Sequence, residues 1–339
     1  MKKSSSYFVA GLMVGLVVAT VAFSLLLRSK NLQATGGGRL VLKLSHVLDQ
    51  THPVHTAMEY MAERLAEKSG GTVIMKVFPS GQLGGETDSI EQLQRGAIAM
   101  TKTSTSVMEG FIPEMAVFGI PYIFRDSEHY WKVLDGELGK MLLHLGEVKK
   151  LRGLCYYDSG SRNFYTVEKP ILSPDDLKGM KIRVMKSKTA MDTISALGGS
   201  PTPIPWGELY TALQQKMVDG AENNPPSFYT NRHFEVCKYF SFDEHTRIPD
   251  ILLISQIVWE SLTPQQQTWV QEAADESSVF QRKLWKEKTD EAIEETEKEG
   301  VKFYYPDKKP FVEKVKAMHQ SYDDNEKIAP LLKRIKETE

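Results

Sequence analysis

From Arg39 onward, short strand-like apolar runs alternate with longer stretches whose apolar residues recur every three or four positions. Val41–Val47 reads as a strand, Pro53–Lys68 as a helix with Met58, Met61 and Leu65 on one face, and Thr72–Phe78 as a second strand. Helix Glu86–Arg95 and strand Ala97–Thr103 follow. After Gly179 the order repeats: strand Met180–Met185, helix Ser187–Leu197, a short strand near Thr202, helix Gly207–Gln215 and strand Met217–Glu222. Each set is β-α-β-α-β, which predicts an α/β fold with largely parallel sheets. The echo extends to residues, because Leu93-Gln94-Arg95-Gly96-Ala97-Ile98 aligns with Leu213-Gln214-Gln215-Lys216-Met217-Val218. Continuing that register pairs Thr103 and Ser104 with Asn223 and Asn224, at the carboxyl ends of equivalent strands. Open α/β sheets bind ligands outside those ends. Two halves facing each other then set Ser104 and Asn224 on opposite walls of one cleft. Near the C-terminus, Pro264–Glu299 reads as one helix, with Thr263 as N-cap, Pro264 at the first helical position and Gly300 as the stop. At 1.5 Å per residue it runs roughly 50 Å, enough to lie across two lobes. Its polar composition predicts a solvated face rather than a binding surface.

The first residues depart from this pattern. Lys2 and Lys3 precede an uncharged, mostly apolar run, Tyr7–Leu27, closed by Arg28 and Lys30. Its length is about that of a bilayer-spanning helix, and the only small-x-small cleavage candidate, Leu32-Gln33-Ala34, is poor. An uncleaved signal anchor is therefore expected over a removed peptide. With no early cysteine, a lipid anchor is not. Ala34-Thr35-Gly36-Gly37-Gly38 reads as a flexible spacer, so residues 1–38 form an export segment and everything after Arg39 lies outside the cytoplasm. The remaining length, in a chain of 339 residues with 41% hydrophobic and 25% charged residues, suits two domains. The net charge of −2, from 42 basic and 44 acidic residues, shows no polyanion-binding signature, so no nucleic-acid partner is expected. Cys155 and Cys237 sit in separate apolar runs without CxxC spacing, and read as two buried thiols rather than a disulfide or a metal knuckle.

Signatures of catalysis are missing. There is no GxSxG, GxxxxGK[ST], HExxH or CxxC, so neither an enzyme nor a cofactor is expected. His46, His52 and His55 lack carboxylates at a metal-binding spacing. No metal is expected, and His46 or His52 reads instead as a polar cleft contact. The positive signals are polar residues where strands end. Arg162 falls just past strand Gly153–Tyr157, and Arg183 sits within Lys181-Ile182-Arg183-Val184, pointing away from the core that its apolar neighbours face. Asn223 and Asn224 end another strand, stiffened by Pro225 and Pro226. A guanidinium fork suits a carboxylate bidentately.

Three segments resemble hallmark motifs of the substrate-binding subunits of TRAP transporters: Phe78-Pro79-Ser80-Gly81-Gln82-Leu83-Gly84, Leu177-Lys178-Gly179-Met180-Lys181-Ile182-Arg183 and Asp219-Gly220-Ala221-Glu222-Asn223. They occur in that family's order over nearly the whole chain after Arg39. The resemblance implies a two-lobed, periplasmic-binding-protein-like fold, each lobe a mixed, mostly parallel sheet flanked by helices, with crossing hinge strands and a lobe-spanning helix. It divides the chain into 39–159 with 249–288 as the first lobe and 160–248 with 289–339 as the second. By position it makes Arg183 the partner of a ligand carboxylate, Arg162 a second cationic contact, and Asn223 a cleft amide. Trp206 becomes an aromatic wall and Glu86 a hydroxyl-binding acid. The run Asn223–Tyr229, followed by Asp243-Glu244-His245-Thr246-Arg247, looks most like members that bind glucuronate or galacturonate. Sialic-acid-binding relatives place a glutamate where this chain has Ser104, with Lys102 nearby, which argues against sialic acid. The implied protein is a monomeric, extracytoplasmic receptor for a sugar acid, delivering it to membrane-embedded transporter subunits. The alternatives are a ligand-presenting sensory module, a binding protein for another organic acid such as a dicarboxylate or an aldonate, and an enzyme acting on sugar acids.

Overall fold

The computed structural model describes residues 39–339; the anchor expected over Tyr7–Leu27 lies outside the described residues. Among the described residues no helix is long and apolar enough to cross a membrane.

Two mixed sheets form two lobes. Strands β1 (Leu40–Ser45), β2 (Val73–Phe78), β3 (Met100–Ser104), β4 (Leu151–Tyr157) and β10 (Asp250–Ser255) build the first, in the order β2-β1-β3-β10-β4. The second contains β5 (Arg162–Thr166), β6 (Lys181–Val184), β7 (Ser200–Pro203), β8 (Gly220–Asn223), β9 (Tyr239–Thr246) and β11 (Lys302–Tyr304), in the order β11-β9-β5-β8-β6-β7. Within each sheet the βαβ neighbours run parallel, while β10 in the first and β5 in the second run antiparallel to theirs. Two short strand-to-strand connections cross between the lobes, Asp158–Ser161 from β4 to β5 and Arg247–Pro249 from β9 to β10. At that point Ser159 Oγ donates to the Ile248 carbonyl and ties the crossings together.

The internal echo is physical. Helix Glu86–Gln94 and helix Leu209–Gln214 end in the same turn: Gly96 and Lys216 take positive φ (69° and 56°) and donate their N–H groups to Leu93 and Leu213. Five residues go into each turn, so β3 and β8 begin at Met100 and Gly220, three residues later than the hydrophobic runs suggest. Each strand then feeds a short helix whose N-cap is the residue the register pairs: Ser104 accepts from Ser106 N–H, and Asn224 from Ser227 N–H.

The long helix runs Pro264–Lys298, with the capping box Thr263/Gln266 at its start. Its polar face is not simply solvated, as its composition suggests. Gln281, fully buried, brackets the first crossing by accepting from Asp158 N–H (2.7 Å) and donating to the Asp158 carbonyl (2.8 Å). Ser277 and Ser278 bond Tyr157 Oη and the Tyr156 carbonyl, and Arg282 holds Asp135 with two N–H groups. The helix packs on Pro53–Lys68 of the first lobe and on Pro225–Thr230 of the second. Beyond it, helix Lys309–Asp323 lies against Lys188–Leu197 of the second lobe. Helix Ala329–Glu337 returns to the first, where Leu331, Leu332 and Ile335 join the core around Tyr130, Leu134 and Ile251. The last residues thus belong with the first lobe rather than with the second, where the division 289–339 puts them. Both cysteines are free and buried, and burial pushes both thiols up.

Candidate functional site

The carboxyl ends of β3 and β8 face each other across a cavity between the lobes. Its first-lobe wall carries Leu48, His52, Glu86, Lys102, Ser104 and Asp250. The second-lobe wall carries Arg162, Arg183, Met185, Trp206, Asn223, Asn224 and Ser227, with Ser159 and Trp285 at the crossings and the long helix. The lobes are closed on one another. His52 Nδ1 accepts from Val54 N–H, so the neutral ring carries its proton on Nε2 and donates to Ser227 Oγ in the other lobe at 3.2 Å. Elsewhere, Glu109 accepts from Ser187 Oγ and from Thr189 N–H across the same divide.

Arg183 comes from a strand whose apolar alternates, Ile182 and Val184, sit in the second lobe's core. The guanidinium therefore emerges on the opposite face, 1% exposed. Its Nε donates to the Ile204 carbonyl at 2.8 Å, its ring neighbour Trp206 lies 5.7 Å away centroid to Cζ, and its Nη1 has no partner. Among the described residues no carboxylate pairs with it, and burial pulls its pKa below that of an ordinary guanidinium. Arg162 is the opposite case. The resemblance makes it a second cationic contact, but it is 5% exposed and already neutralised. It pairs with both oxygens of Glu222, through Nε and Nη2, and its Nη1 donates to Asn223 Oδ1 at 2.9 Å. Burial pushes Glu222 up, but Arg162 and His245 outweigh it and hold the carboxyl at about 2. Behind them His245 contacts Asp243 at 2.8 Å and Glu222 at 3.6 Å. Against the effect of burial, the two carboxylates keep it an imidazolium, with a pKa of about 9. One guanidinium is thus fixed within a network, and the other is free to take an anion.

The third motif builds much of this. Asp219 accepts from Lys181 N–H and starts β6 beside β8, and Gly220 leaves no room for a side chain against the Tyr165 carbonyl, 2.5 Å from where a Cβ would stand. Glu222 then reaches Arg162 while Asn223 turns to the cavity. Asn223 Oδ1 accepts from Arg162, from Asn224 N–H and from Asn224 Nδ2, which aims its own Nδ2 donor. On the facing wall, the Pro79–Gly85 turn delivers Glu86 as the first residue of its helix, where Oε1 accepts from Ser104 N–H (3.0 Å) and Thr103 Oγ1 (3.1 Å). Lys102 Nζ lies 2.7 Å from Asp250 Oδ2.

Nine of the eleven residues singled out from the sequence therefore meet in one cavity: Arg183, Arg162, Asn223, Asn224, Glu86, Trp206, His52, Lys102 and Ser104. His46 and His245 are not among the lining residues. His46 is buried with its ring against His55 (Nε2 to Nδ1, 3.0 Å), and burial with the nearby Lys102 lowers its pKa to about 3. His245 supports the Arg162 network from behind. Sequence reasoning missed Ser159, Ser227, Asp250 and Trp285. Asp250 carried a signal, an acid heading the apolar run Ile251–Ile254, and Trp285 another, a large aromatic in a polar helix.

Two lobes closed on a buried cavity that holds an unpaired guanidinium define a bilobed binding protein for a small anionic solute. The chain belongs to the bacterial extracellular solute-binding proteins of family 7, the DctP family, whose model matches residues 44–325. A TRAP periplasmic solute-binding protein from Bradyrhizobium, solved with α/β-D-galacturonate, is 41% identical, with a TM-score of 0.85 over 88% of this chain and 99% of that one. Another from Anaerococcus prevotii, solved with α/β-D-glucuronate, is 37% identical, with a TM-score of 0.86 over 88% and 97%. The uncharacterised protein YiiZ of Salmonella typhimurium is 40% identical over 304 residues, 88% of this chain and 91% of that one. The chain is a TRAP-type solute-binding protein, from a family of binding proteins rather than enzymes.

Proposed function

We propose that this protein captures a hexuronate, glucuronate or galacturonate, outside the cytoplasm and delivers it to the membrane subunits of a TRAP transporter, held at the membrane by Tyr7–Leu27. One observation carries the reading: Arg183 is buried at the cavity wall, and among the described residues its Nη1 has no partner and no carboxylate neutralises it. A ligand carboxylate supplies that charge, and charge-assisted hydrogen bonds to the fork offset the water both ions lose. The rest of the lining suits a polyhydroxylated body: Glu86 accepts, the Asn223 amide donates, and Trp206 offers an aromatic edge. The solved relatives that hold uronates support the same class. Because the ligand bridges Arg183 on one lobe and Glu86 and Lys102 on the other, it favours the closed form, and closure is the signal a transporter reads.

A thermal-shift panel on the extracytoplasmic part of the chain tests this. D-glucuronate and D-galacturonate should raise the melting temperature through binding to the native state, and succinate and malate should do less. If a dicarboxylate outperforms both uronates, the hexuronate assignment falls while the carboxylate site stands.

A further inference from the structure

Lys102 and Asp250 meet on the first-lobe wall, both buried and both lining the cavity. The antiparallel register sets Asp250 opposite Ser104 and Leu252 opposite Lys102, so all four share one face of the sheet. Leu252 and its neighbours Met100 and Cys155 belong to the apolar core, and the ammonium rises from that floor. Such an ion pair is costly to bury, and replacing one by apolar residues is often neutral or stabilising. Burial pushes Asp250 up to about 6, against the pull of Lys102. Stability therefore does not explain the pair.

Its unused bonding capacity does. Among the described residues Lys102 is the only hydrogen-bonding partner of the Asp250 carboxylate, which keeps open lone pairs, and an ammonium has three donors. A donor and an acceptor side by side match two neighbouring hydroxyl groups, one donating to Asp250 and the next accepting from Lys102. The charge around them is already balanced: Asp250 neutralises Lys102, Glu86 stands on the same wall, and His46 and His52 beside Lys102 are kept neutral by burial. A second ligand carboxylate would meet no net positive charge there. We infer that the Lys102–Asp250 pair is a hydroxyl-reading element of this site beside Glu86 and Asn223, admitting carboxylic acids with adjacent hydroxyls on the part turned to the first lobe and excluding simple dicarboxylates. This rests on the reading of the cavity as a hexuronate site.

Calorimetric titrations with D-glucuronate and with oxane-2-carboxylate, the same ring and carboxylate without hydroxyls, read the pair directly. The wild type should prefer D-glucuronate at least a hundredfold. Asp250→Asn and Lys102→Met should each cut that preference about tenfold to a hundredfold, as expected for hydrogen bonds to charged groups. They should do so by weakening D-glucuronate while oxane-2-carboxylate stays within about threefold. An unchanged preference in both variants overturns the inference. So does a wild type that binds the two compounds equally, which needs no variant to fold. A wild type that binds neither D-glucuronate nor D-galacturonate removes the proposed function itself, and this inference with it.

Discussion

Arg162 and Arg183 are alike in sequence context and opposite in circumstance. Both end up buried in one cavity, yet Arg162 is tied to Glu222 and Asn223 whereas Arg183 is left with one backbone carbonyl. The sequence shows two arginines near strand ends, and the structure shows which one is free. Pairing depends on Glu222, beside Asn223 in the third motif, and nothing in the sequence assigns that carboxylate to Arg162 rather than to Arg183. The free charge should cost the empty protein stability. Arg183→Met, which removes the charge and keeps most of the volume, should therefore leave the ligand-free melting temperature unchanged or raised. Arg162→Met strands a buried carboxylate and should cost about 3–5 kcal/mol. Melting curves without ligand decide it: a large drop in Arg183→Met would make that residue structural.

Elements were legible where periodicity and caps agree. Helix Pro53–Lys68 runs over the residues its apolar spacing marks, and the long helix starts at Pro264 behind Thr263 and stops before the positive-φ Gly300. The repeat could be read because both helices end in Leu-Gln and enter turns closed by the same backbone hydrogen bond. What stayed hidden was long-range. Gln281 looks like any solvated glutamine until the chain crossing at Asp158 is laid beside it, and helix Ala329–Glu337 gives no local hint that it docks on the first lobe. The same holds for His52, whose ring nitrogens cap its own helix on one side and reach Ser227, 175 positions away, on the other. The candidate site was legible by residue type at strand ends. Its two departures, His46 and His245, are polar residues whose partners lie within their own lobe: His55 and the Leu48 N–H for His46, and Asp243 and Glu222 for His245.

Buried titrating groups from both lobes give the whole molecule a pH profile. His245, held at about 9 against 6.5 when unfolded, contributes stability that is fully present below pH 6.5 and is lost as pH rises through about 9. His46 and His233, lowered to about 3, and His52, also lowered, contribute stability that is present above pH 6.5 and lost as pH falls. Asp250, raised to about 6 from 3.8, opposes them in acid, because its cost at neutral pH is relieved as it protonates. The ligand-free melting temperature should therefore fall on the alkaline side between about pH 7 and 9.5, and His245→Gln should flatten that limb. A flat limb in the wild type would contradict the buried imidazolium. Closure around a carboxylate at Arg183 is the claim on which the rest depends, and calorimetric titration of D-galacturonate and D-glucuronate into the wild type and Arg183→Met measures it. Losing one member of a buried, hydrogen-bonded charge pair costs on the order of 2–5 kcal/mol, roughly 30-fold to several-thousand-fold in affinity. Loss of that size for whichever uronate the wild type binds is the predicted result; an affinity within about threefold of the wild type would contradict it.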